Sequence, residues 1–286
     1  MFYFLLANDM LRRVGSLPEG VLPPWIEKRR LDDWRLCGMI TSGNFGEVFI
    51  AENSEGKRKA LKIFAPSEND RRAFDIECDG MMRMIGLRHP NLVPVETFGR
   101  TEHCLYYTMP LADELFANPF YVPYTLRNRM VRRVFGTGIR FDDLTEAHLL
   151  KIAASVLDAL DFLHGKGLLH RDVKPDNIMR LNGAWCLGDP GLIAPRRPRC
   201  FAGTPGFYPE KKGFRANAGS DLYALGKTLY CVATRMKPEN YPLVPKYYDY
   251  SRYPRIRRIY RNAVEGKYRT AAEMKDAVAS GLTSDS

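Results

Sequence analysis

Polar and apolar residues alternate along the first part of the chain, most clearly between residues 34 and 64. Alternation with a period of two is typical of β-strands that have one buried face. A turn signal, Asn53-Ser54-Glu55-Gly56, separates two of these runs. The pattern predicts a small sheet of five strands, at residues 34–40, 48–51, 60–64, 92–98 and 104–109.

Helical periodicity appears first between the third and fourth strands and dominates after Pro110. The first helix is indicated by an apolar stripe, Phe74, Cys78, Met81 and Ile85. A longer helix with Thr145 as its N-cap is predicted from Leu149, Ile152, Ala153, Val156, Leu157, Leu160 and Leu163. Another is expected to begin at Ser220 as N-cap and to carry Leu222, Leu225, Leu229 and Val232.

The change from strands to helices near residue 110 predicts an α+β protein with two lobes and a cleft between them. Ligands favour clefts of this kind. We expect an N-terminal extension over residues 1–30, a sheet-containing lobe over 31–111 and a mainly helical lobe over 112–286. A chain of 286 residues is long enough to bury a sizeable core.

Charge and cysteine content narrow the class of protein. The net charge of +10 suggests an acidic partner, nucleic acid or an anionic membrane surface. Arginine is dense in segments 127–140 and 252–261, and we interpret both as solvent-exposed faces of helices and loops in preference to binding sites. The 6 cysteines are scattered without a C-x-x-C pair, which argues against disulfides or a zinc site. No run of about 18 apolar residues exists, and the apolar start Met1–Ala7 is too short to span a bilayer. We therefore expect a soluble, cytoplasmic protein with reduced thiols.

Three polar groups at fixed spacing carry the chemistry: Asp172, then Lys174 two residues later, and Asn177 five residues after Asp172. Phosphoryl transfer needs such a set. A carboxylate orients the attacking hydroxyl, a cation neutralises the γ-phosphate, and an amide oxygen ligates a metal ion. The run His170–Asn177 resembles the catalytic loop of eukaryotic-type (Hanks-type) protein kinases, and its Lys174 resembles the serine/threonine-specific form.

Two further segments carry the resemblance, which covers roughly residues 34–280. Ser42–Val48 resembles the glycine-rich loop that covers phosphates, with Thr41 where the first glycine is usual. Gly203–Glu210 resembles the substrate-docking loop that closes the activation segment. The resemblance implies the two-lobed protein-kinase fold, with the predicted five strands and a regulatory helix in the small lobe. The region that begins at Tyr121 is similar to bacterial members.

The resemblance implies a catalytic role for four residues. Lys62 would contact the α- and β-phosphates of ATP and pair with Glu77 on the first helix. Glu77 lies about three residues further from His89 than the family's glutamate does. Asp172 would orient the substrate hydroxyl, and Lys174 would neutralise the γ-phosphate.

ATP and Mg²⁺ are the cofactors implied, with Asn177 and Asp189 as the metal ligands. A predicted hairpin, in which Asn182-Gly183 joins strands at 178–181 and 184–187, returns the chain beside Asn177 and delivers Asp189. The nucleotide-binding residues that the resemblance implies are Gly43, Gly46, Val48, Ala60, Lys62, Met109, Leu111, Asn177 and Asp189.

Structural roles are implied as well. Met109–Ala112 would be the hinge between the lobes, with Pro110 unable to donate a backbone hydrogen bond. Glu210 is expected to pair with Arg269, and Asp221 either braces the catalytic loop or caps a helix. No Ser, Thr or Tyr occurs between Gly191 and Gly203, so we expect activity that does not depend on phosphorylation there.

One departure leaves two interpretations open. Pro190 replaces the family's phenylalanine in the loop around Asp189, residues 188–191, which we call the metal loop. Proline fixes its own φ and restricts the backbone of Asp189, which predicts a less mobile metal loop and allows reduced or lost activity. The leading interpretation is an active serine/threonine kinase with a protein substrate. Thr41, Pro190 and the shifted Glu77 motivate the alternative, a pseudokinase acting as a nucleotide-binding module. A small-molecule phosphotransferase and a nucleic-acid-binding protein are favoured less. The substrate and the oligomeric state do not follow from the sequence.

Overall fold

A computed structural model describes the chain in eight stretches, which are residues 30–43, 46–64, 71–115, 144–196, 203–210, 213–246, 248–249 and 251–282. Almost all of the extension expected over residues 1–30, the arginine-rich segment 127–140 and the loop residues Asn44 and Phe45 lie outside these stretches. Among the described residues, no helix is long and apolar enough to cross a membrane.

The sheet has six antiparallel strands in the order β1-β2-β3-β4-β6-β5. They are β1 (Arg30–Leu31), β2 (Trp34–Gly43), β3 (Gly46–Glu52), β4 (Arg58–Phe64), β5 (Thr97–Arg100) and β6 (Leu105–Met109). The expected five strands are all present, but β1 was missed because two residues are too short to show alternation. The strand expected at 92–98 is reduced to β5, and Leu92 instead forms an isolated parallel bridge with Leu187.

Helix α1 (Arg71–Met84) contributes Met81 and Met84, which are both buried, to the hydrophobic core that also contains the inner residues of the sheet. Phe74 and Cys78 of the expected stripe are partly buried on the same core. The prediction for Ile85 was wrong, since this residue follows the last residue of α1 and its side chain is 47% exposed.

Four more helices are described after residue 144: α2 (Glu146–Gly165), α3 (Ala218–Thr234), α4 (Pro254–Val264) and α5 (Ala271–Leu282). The stripe predicted for α2 is buried, and Thr145 caps the helix by accepting a hydrogen bond from the backbone of His148. The cap predicted for α3 was wrong. Asn217 is the N-cap, and Ser220 is the third helical residue, whose hydroxyl interacts with the backbone of Asn217 to complete a capping box.

Five short strands complete the chain: β7 (Glu114–Leu115), β8 (Leu168–Leu169), β9 (Ile178–Leu181), β10 (Ala184–Leu187) and β11 (Ala194–Pro195). The predicted hairpin is confirmed, because β9 and β10 pair antiparallel. Its two connecting residues have positive φ, 48° at Asn182 and 82° at Gly183, as a two-residue turn of this type requires. Strand β11 pairs with β8, so the chain that follows Asp189 is held beside the two residues that lead into His170.

Leu187 of β10 connects this hairpin to the segment that leads into the main sheet. Its backbone N–H donates to Asn91 O at 2.8 Å, and its carbonyl accepts from Val93 N at 2.9 Å. The Asn91 side chain adds a 2.8 Å hydrogen bond to the carbonyl of Trp185. Asp189, two residues after Leu187, is thereby placed opposite strand β4 and its Lys62.

Candidate active site

Asp172 is the centre of a buried cluster of polar side chains. Its Oδ2 accepts hydrogen bonds from Lys174 Nζ at 2.7 Å and Asn177 Nδ2 at 2.9 Å. Its Oδ1 accepts from the hydroxyl of Thr204 at 2.6 Å, and that hydroxyl also accepts from Lys174 Nζ at 2.8 Å. Sequence reasoning assigned no role to Thr204, although the surrounding motif Gly203–Glu210 was recognised. The fold brings this hydroxyl to the carboxylate from 32 residues away.

The Asp172–Lys174 pair is ionised near neutral pH. Burial opposes ionisation of Asp172, but the Lys174 ammonium and the hydrogen bonds from Lys174 and Thr204 keep the pKa of Asp172 below its ordinary value. Burial likewise opposes the charge on Lys174, yet Asp172 and Asp176 raise the pKa of Lys174 above its ordinary value. Asp172 is therefore a charged acceptor, and Lys174 is a charged donor beside it.

Asp221 at the start of α3 braces the catalytic loop, which confirms the structural role expected for it. Its carboxylate is buried and accepts hydrogen bonds from the backbone N–H groups of His170 at 2.9 Å and Arg171 at 2.8 Å. The ring of His164 on α2 lies 2.9 Å from the same carboxylate. Arg171 has a left-handed backbone with φ of 72°, which costs about 1–3 kcal/mol in a residue other than glycine. The contacts to Asp221 hold that conformation.

His170 joins the catalytic loop to the metal loop. Its ring Nε2 lies 3.0 Å from the carbonyl of Gly188, and its Nδ1 accepts from the backbone N–H of Asp172 at 3.3 Å. Burial lowers the pKa of His170. A neutral imidazole with its proton on Nε2 satisfies both contacts at once. Gly188 N also donates to the carbonyl of Asn177 at 2.7 Å, so the two loops are tied together twice.

Lys62 and Asp189 form a buried ion pair across the cleft, with Nζ 2.8 Å from Oδ1 and side chains 2% and 13% exposed. Lys62 Nζ also lies 4.6 Å from the centre of the Phe64 ring. Asp189 has a left-handed backbone, with φ of 57° and ψ of 76°. Glu77 lies in α1, but its side chain is outside the described part of the structure, so its pairing with Lys62 stays a prediction.

Asn177 and Asp189 fit the role of metal ligands. The amide nitrogen of Asn177 donates to both the carbonyl and the carboxylate of Asp172, which fixes the orientation of the amide and leaves its oxygen for a cation. Among the described residues, no group of three His, Cys, Asp or Glu could hold a metal ion. Mg²⁺ commonly uses one or two protein oxygens and completes its shell with phosphates and water. The donor set therefore suits Mg²⁺ bound together with a nucleotide.

Three of the expected nucleotide-binding residues are buried on neighbouring strands: Val48 of β3, Ala60 of β4 and Met109 of β6. Val48 pairs with Lys62, and Ala60 pairs with Met109, so the strand register brings these residues together. Leu111 is half-buried just beyond β6.

The glycine-rich turn is described at its two ends. Gly43 pairs with Gly46 as β2 leads into β3. Gly46 has φ of 105°, and a β-carbon there would lie 2.3 Å from the carbonyl oxygen of Ile63, so only glycine fits.

Comparison with known proteins is decisive for the family. Residues 34–285 match the family model described as the protein kinase domain. The chain belongs to the protein kinase family. The catalytic-loop geometry and the buried Lys62–Asp189 pair agree with that membership.

The relatives of this kinase domain are both eukaryotic and bacterial. It is 27% identical over 242 residues to the putative 3-phosphoinositide-dependent protein kinase 2 of Homo sapiens, covering 78% of this chain and 55% of the relative. It is 29% identical over 232 residues to the serine/threonine-protein kinase PknD of Chlamydia caviae, covering 70% and 24%. It is 29% identical over 233 residues to PknJ of Mycobacterium bovis, covering 72% and 34%. The resemblance to eukaryotic-type kinases is confirmed, and the chain spans about half or less of these relatives' length.

The described beginning of the activation segment, residues 190–196, is held by contacts that need no phosphate. Arg171 Nη1 donates to the carbonyl of Leu192 at 3.2 Å. The side chain of Arg196 donates a hydrogen bond to the carbonyl of His164 at 2.6 Å. The backbone N–H of Arg196 donates to the carbonyl of Gly167 at 2.9 Å. These contacts anchor the start of the segment to α2 and to the catalytic loop.

The ion pair predicted between Glu210 and Arg269 was wrong. Arg269 pairs with Glu273 one helical turn away, at 3.1 Å, and its side chain is 86% exposed. The backbone N–H of Arg269 also donates to Glu273, which places both partners at the start of α5. Arg269 therefore pairs with Glu273, which is close in sequence, and not with the distant Glu210.

Proposed function

We propose that this kinase domain is an active serine/threonine protein kinase that uses ATP and Mg²⁺ to phosphorylate a hydroxyl of a protein substrate. The observation that carries the proposal is the cluster of Asp172, Lys174, Asn177 and Thr204, in which every polar side chain is directed at another. The second support is the position of Asp189 beside Lys62.

Each residue has a task that its surroundings suit. Asp172 is ionised, so its carboxylate can accept a hydrogen bond from the incoming hydroxyl and orient it for in-line attack. Lys174 carries a positive charge 2.7 Å away and can neutralise the γ-phosphate as it transfers. Bound Mg²⁺ would neutralise phosphate charge, and Asn177 and Asp189 would hold it. Thr204 donates to Asp172 and so keeps the carboxylate in position.

The alternative is a pseudokinase, and Pro190 is the observation that favours it. Proline at this position restricts Asp189, but the carboxylate still reaches Lys62 at 2.8 Å. Lys62, Asp172, Lys174, Asn177 and Asp189 are all present, and a protein that had lost phosphoryl transfer would be expected to have lost at least one of them.

Substrate class and setting are part of the proposal. The relatives PknD and PknJ are named serine/threonine-protein kinases, and Lys174 two residues after Asp172 agrees with that specificity.

We propose lobes over 31–111 and 112–286. A reducing, cytoplasmic setting is supported by the cysteines, since none of the five described ones forms a disulfide.

Transfer of radiolabelled γ-phosphate from ATP tests the proposal. Wild-type protein, Asp172→Asn and a surface control, Asp158→Asn, are incubated with ATP, Mg²⁺ and basic or acidic protein substrates, followed by phosphoamino-acid analysis. We expect phosphoserine or phosphothreonine with the wild type and the control, and a loss of about 10²–10⁴-fold with Asp172→Asn. Measurable ATP binding without transfer by the wild type would refute the active kinase and support the pseudokinase. Phosphorylation of a sugar or antibiotic but of no protein would refute both.

A further inference from the structure

Helix α1 and the metal loop touch through their backbones at Gly80. A β-carbon built on Gly80 would lie 2.5 Å from the carbonyl oxygen of Gly191 and 2.7 Å from that of Pro190, whereas real β-carbons stay beyond 3.0 Å. Both contacts are with backbone atoms, so no flexible side chain could move aside. Glycine weakens a helix interior, so its presence in α1 has to be explained by this approach.

The position of Gly80 along α1 is informative. Gly80 precedes the buried Met81 and lies three residues after Glu77. Glu77 is about three residues further from His89 than the glutamate of the family, so the family's spacing falls on Gly80 instead. In this chain the helix therefore presents bare backbone to the metal loop at the position where a long acidic side chain is usual.

We propose that Gly80 is a positioning residue for Asp189, through a backbone contact that makes α1 and the metal loop move as one unit. The inference rests on the proposed function, because it assigns Asp189 to the metal. Pro190 follows Asp189 directly, so the packing of its carbonyl against Gly80 limits where Asp189 can lie. The pair Lys62–Asp189 is then set by helix position as well as by charge.

The conformation of the metal loop supports a rigid unit. Pro190 fixes its own φ, and its carbonyl also accepts a hydrogen bond from Ile193 N at 3.0 Å. On the other side of Asp189, Gly188 N donates to the carbonyl of Asn177 at 2.7 Å. Asp189 itself has φ of 57°, a region that few residues other than glycine adopt without support. A displacement at Pro190 therefore has few ways to be absorbed before it reaches Asp189.

The test compares Gly80→Ala with Gly165→Ala. Gly165 is also helical, at the end of α2, but a β-carbon there would meet nothing within 4 Å, so it reports the effect of the substitution without the clash. Affinity for ATP is measured by calorimetry with and without Mg²⁺. We expect the gain in affinity that Mg²⁺ provides to fall about tenfold in Gly80→Ala and to be unchanged in Gly165→Ala. Equal gains in all three proteins would overturn the proposal.

Hydrogen exchange supplies a readout that does not depend on nucleotide. In Gly80→Ala we expect the amides of Gly188 and Ile193 to lose protection, while those in Gly165→Ala match the wild type. If the wild type binds Mg²⁺–ATP but transfers no phosphate, the proposed function fails, and the two measurements still test the role of Gly80. If the wild type binds no nucleotide, exchange alone decides, and unchanged protection at both amides would overturn the proposal.

A double variant covers the case in which Gly80→Ala does not fold. Pro190→Ala removes the ring that fixes φ, so the loop backbone can move away from a new methyl group. We expect Gly80→Ala/Pro190→Ala to fold, with the loss of protection at Gly188 and Ile193 retained. A double variant as unfolded as Gly80→Ala alone would place the clash elsewhere and overturn the proposal.

Discussion

Replacing Asp221 is the sharpest test of how the catalytic loop is held. Its carboxylate is 1% exposed and has three partners, the backbone N–H groups of His170 and Arg171 and the ring of His164. A hydrogen bond to a charged group contributes about 1.5–3 kcal/mol, and a buried donor left without a partner costs about 1–3 kcal/mol. Asp221→Ala abandons all three partners and should cost about 3–5 kcal/mol of the free energy of unfolding after relaxation.

Asp221→Asn separates support of the loop from support of the fold. The amide keeps the shape of the side chain and one acceptor oxygen, so we expect a loss of about 1–3 kcal/mol, less than the 5–15 kcal/mol that typically holds a domain together. Arg171 depends on the lost acceptor to keep its left-handed φ of 72°. Phosphoryl transfer should therefore fall by more than the small unfolded fraction explains.

Urea unfolding followed by linear extrapolation measures these losses. Asp158→Asn is the matched control, because Asp158 pairs with Lys275 on the surface and its side chain is 35% exposed. Such pairs contribute about 0–1 kcal/mol. If Asp221→Asn unfolds within about 0.5 kcal/mol of Asp158→Asn and keeps full transfer activity, Asp221 does not hold the catalytic loop in its active conformation.

Three further outcomes are expected. Thr204→Val removes the hydroxyl between Asp172 and Lys174, so transfer should drop by about tenfold or more while the unfolding midpoint moves little; unchanged transfer would contradict the positioning role. Burial holds the pKa of His170 below its ordinary 6.5, so the unfolded chain takes up the proton first and stability should fall as pH drops below 6.5, by at most about 1.4 kcal/mol per pH unit. Denaturation between pH 5.5 and 7.5 checks this, and the same slope in His170→Phe would assign it to other groups. Phosphatase treatment should leave transfer unchanged, because residues 192–202 contain no hydroxyl, and lost activity together with a phosphate on Thr204 would contradict this.

The catalytic loop could be predicted because its functional residues lie close together in the sequence at characteristic spacings. Asp172, Lys174 and Asn177 lie within six residues, and the fold joins them directly by hydrogen bonds. The hairpin that delivers Asp189 was predictable for a similar reason, since Asn182-Gly183 alone sets a two-residue turn. The apolar stripe of α2 identified a buried helix because seven apolar positions recur on one face.

The partners that hold the loop could not be found in this way. Thr204 and Asp221 come from segments 32 and about 50 residues away, so local spacing does not join them to the loop. The role of Asp221 was predicted only from the family resemblance, and that of Thr204 was missed. The family resemblance also gave one ion pair that the structure contradicts. Arg269 and Glu210 have opposite charges, but Arg269 forms its ion pair with Glu273, four residues away on α5. Short-range competition of this sort is visible only when the helix boundary is known.

Gly80 changes how the departures from the family pattern should be weighed. Along the chain, the shifted Glu77 and the substitution at Pro190 are two separate reasons to doubt catalysis. In space they meet, because the backbone of α1 at Gly80 packs on the carbonyl of Pro190. Pro190 stiffens the metal loop, and Gly80 lets the helix approach that loop. The two departures therefore alter one and the same contact, and together they are one argument against catalysis. Asp189 next to that contact still reaches Lys62 at 2.8 Å, so the altered contact leaves the carboxylate of the metal loop facing the lysine of β4.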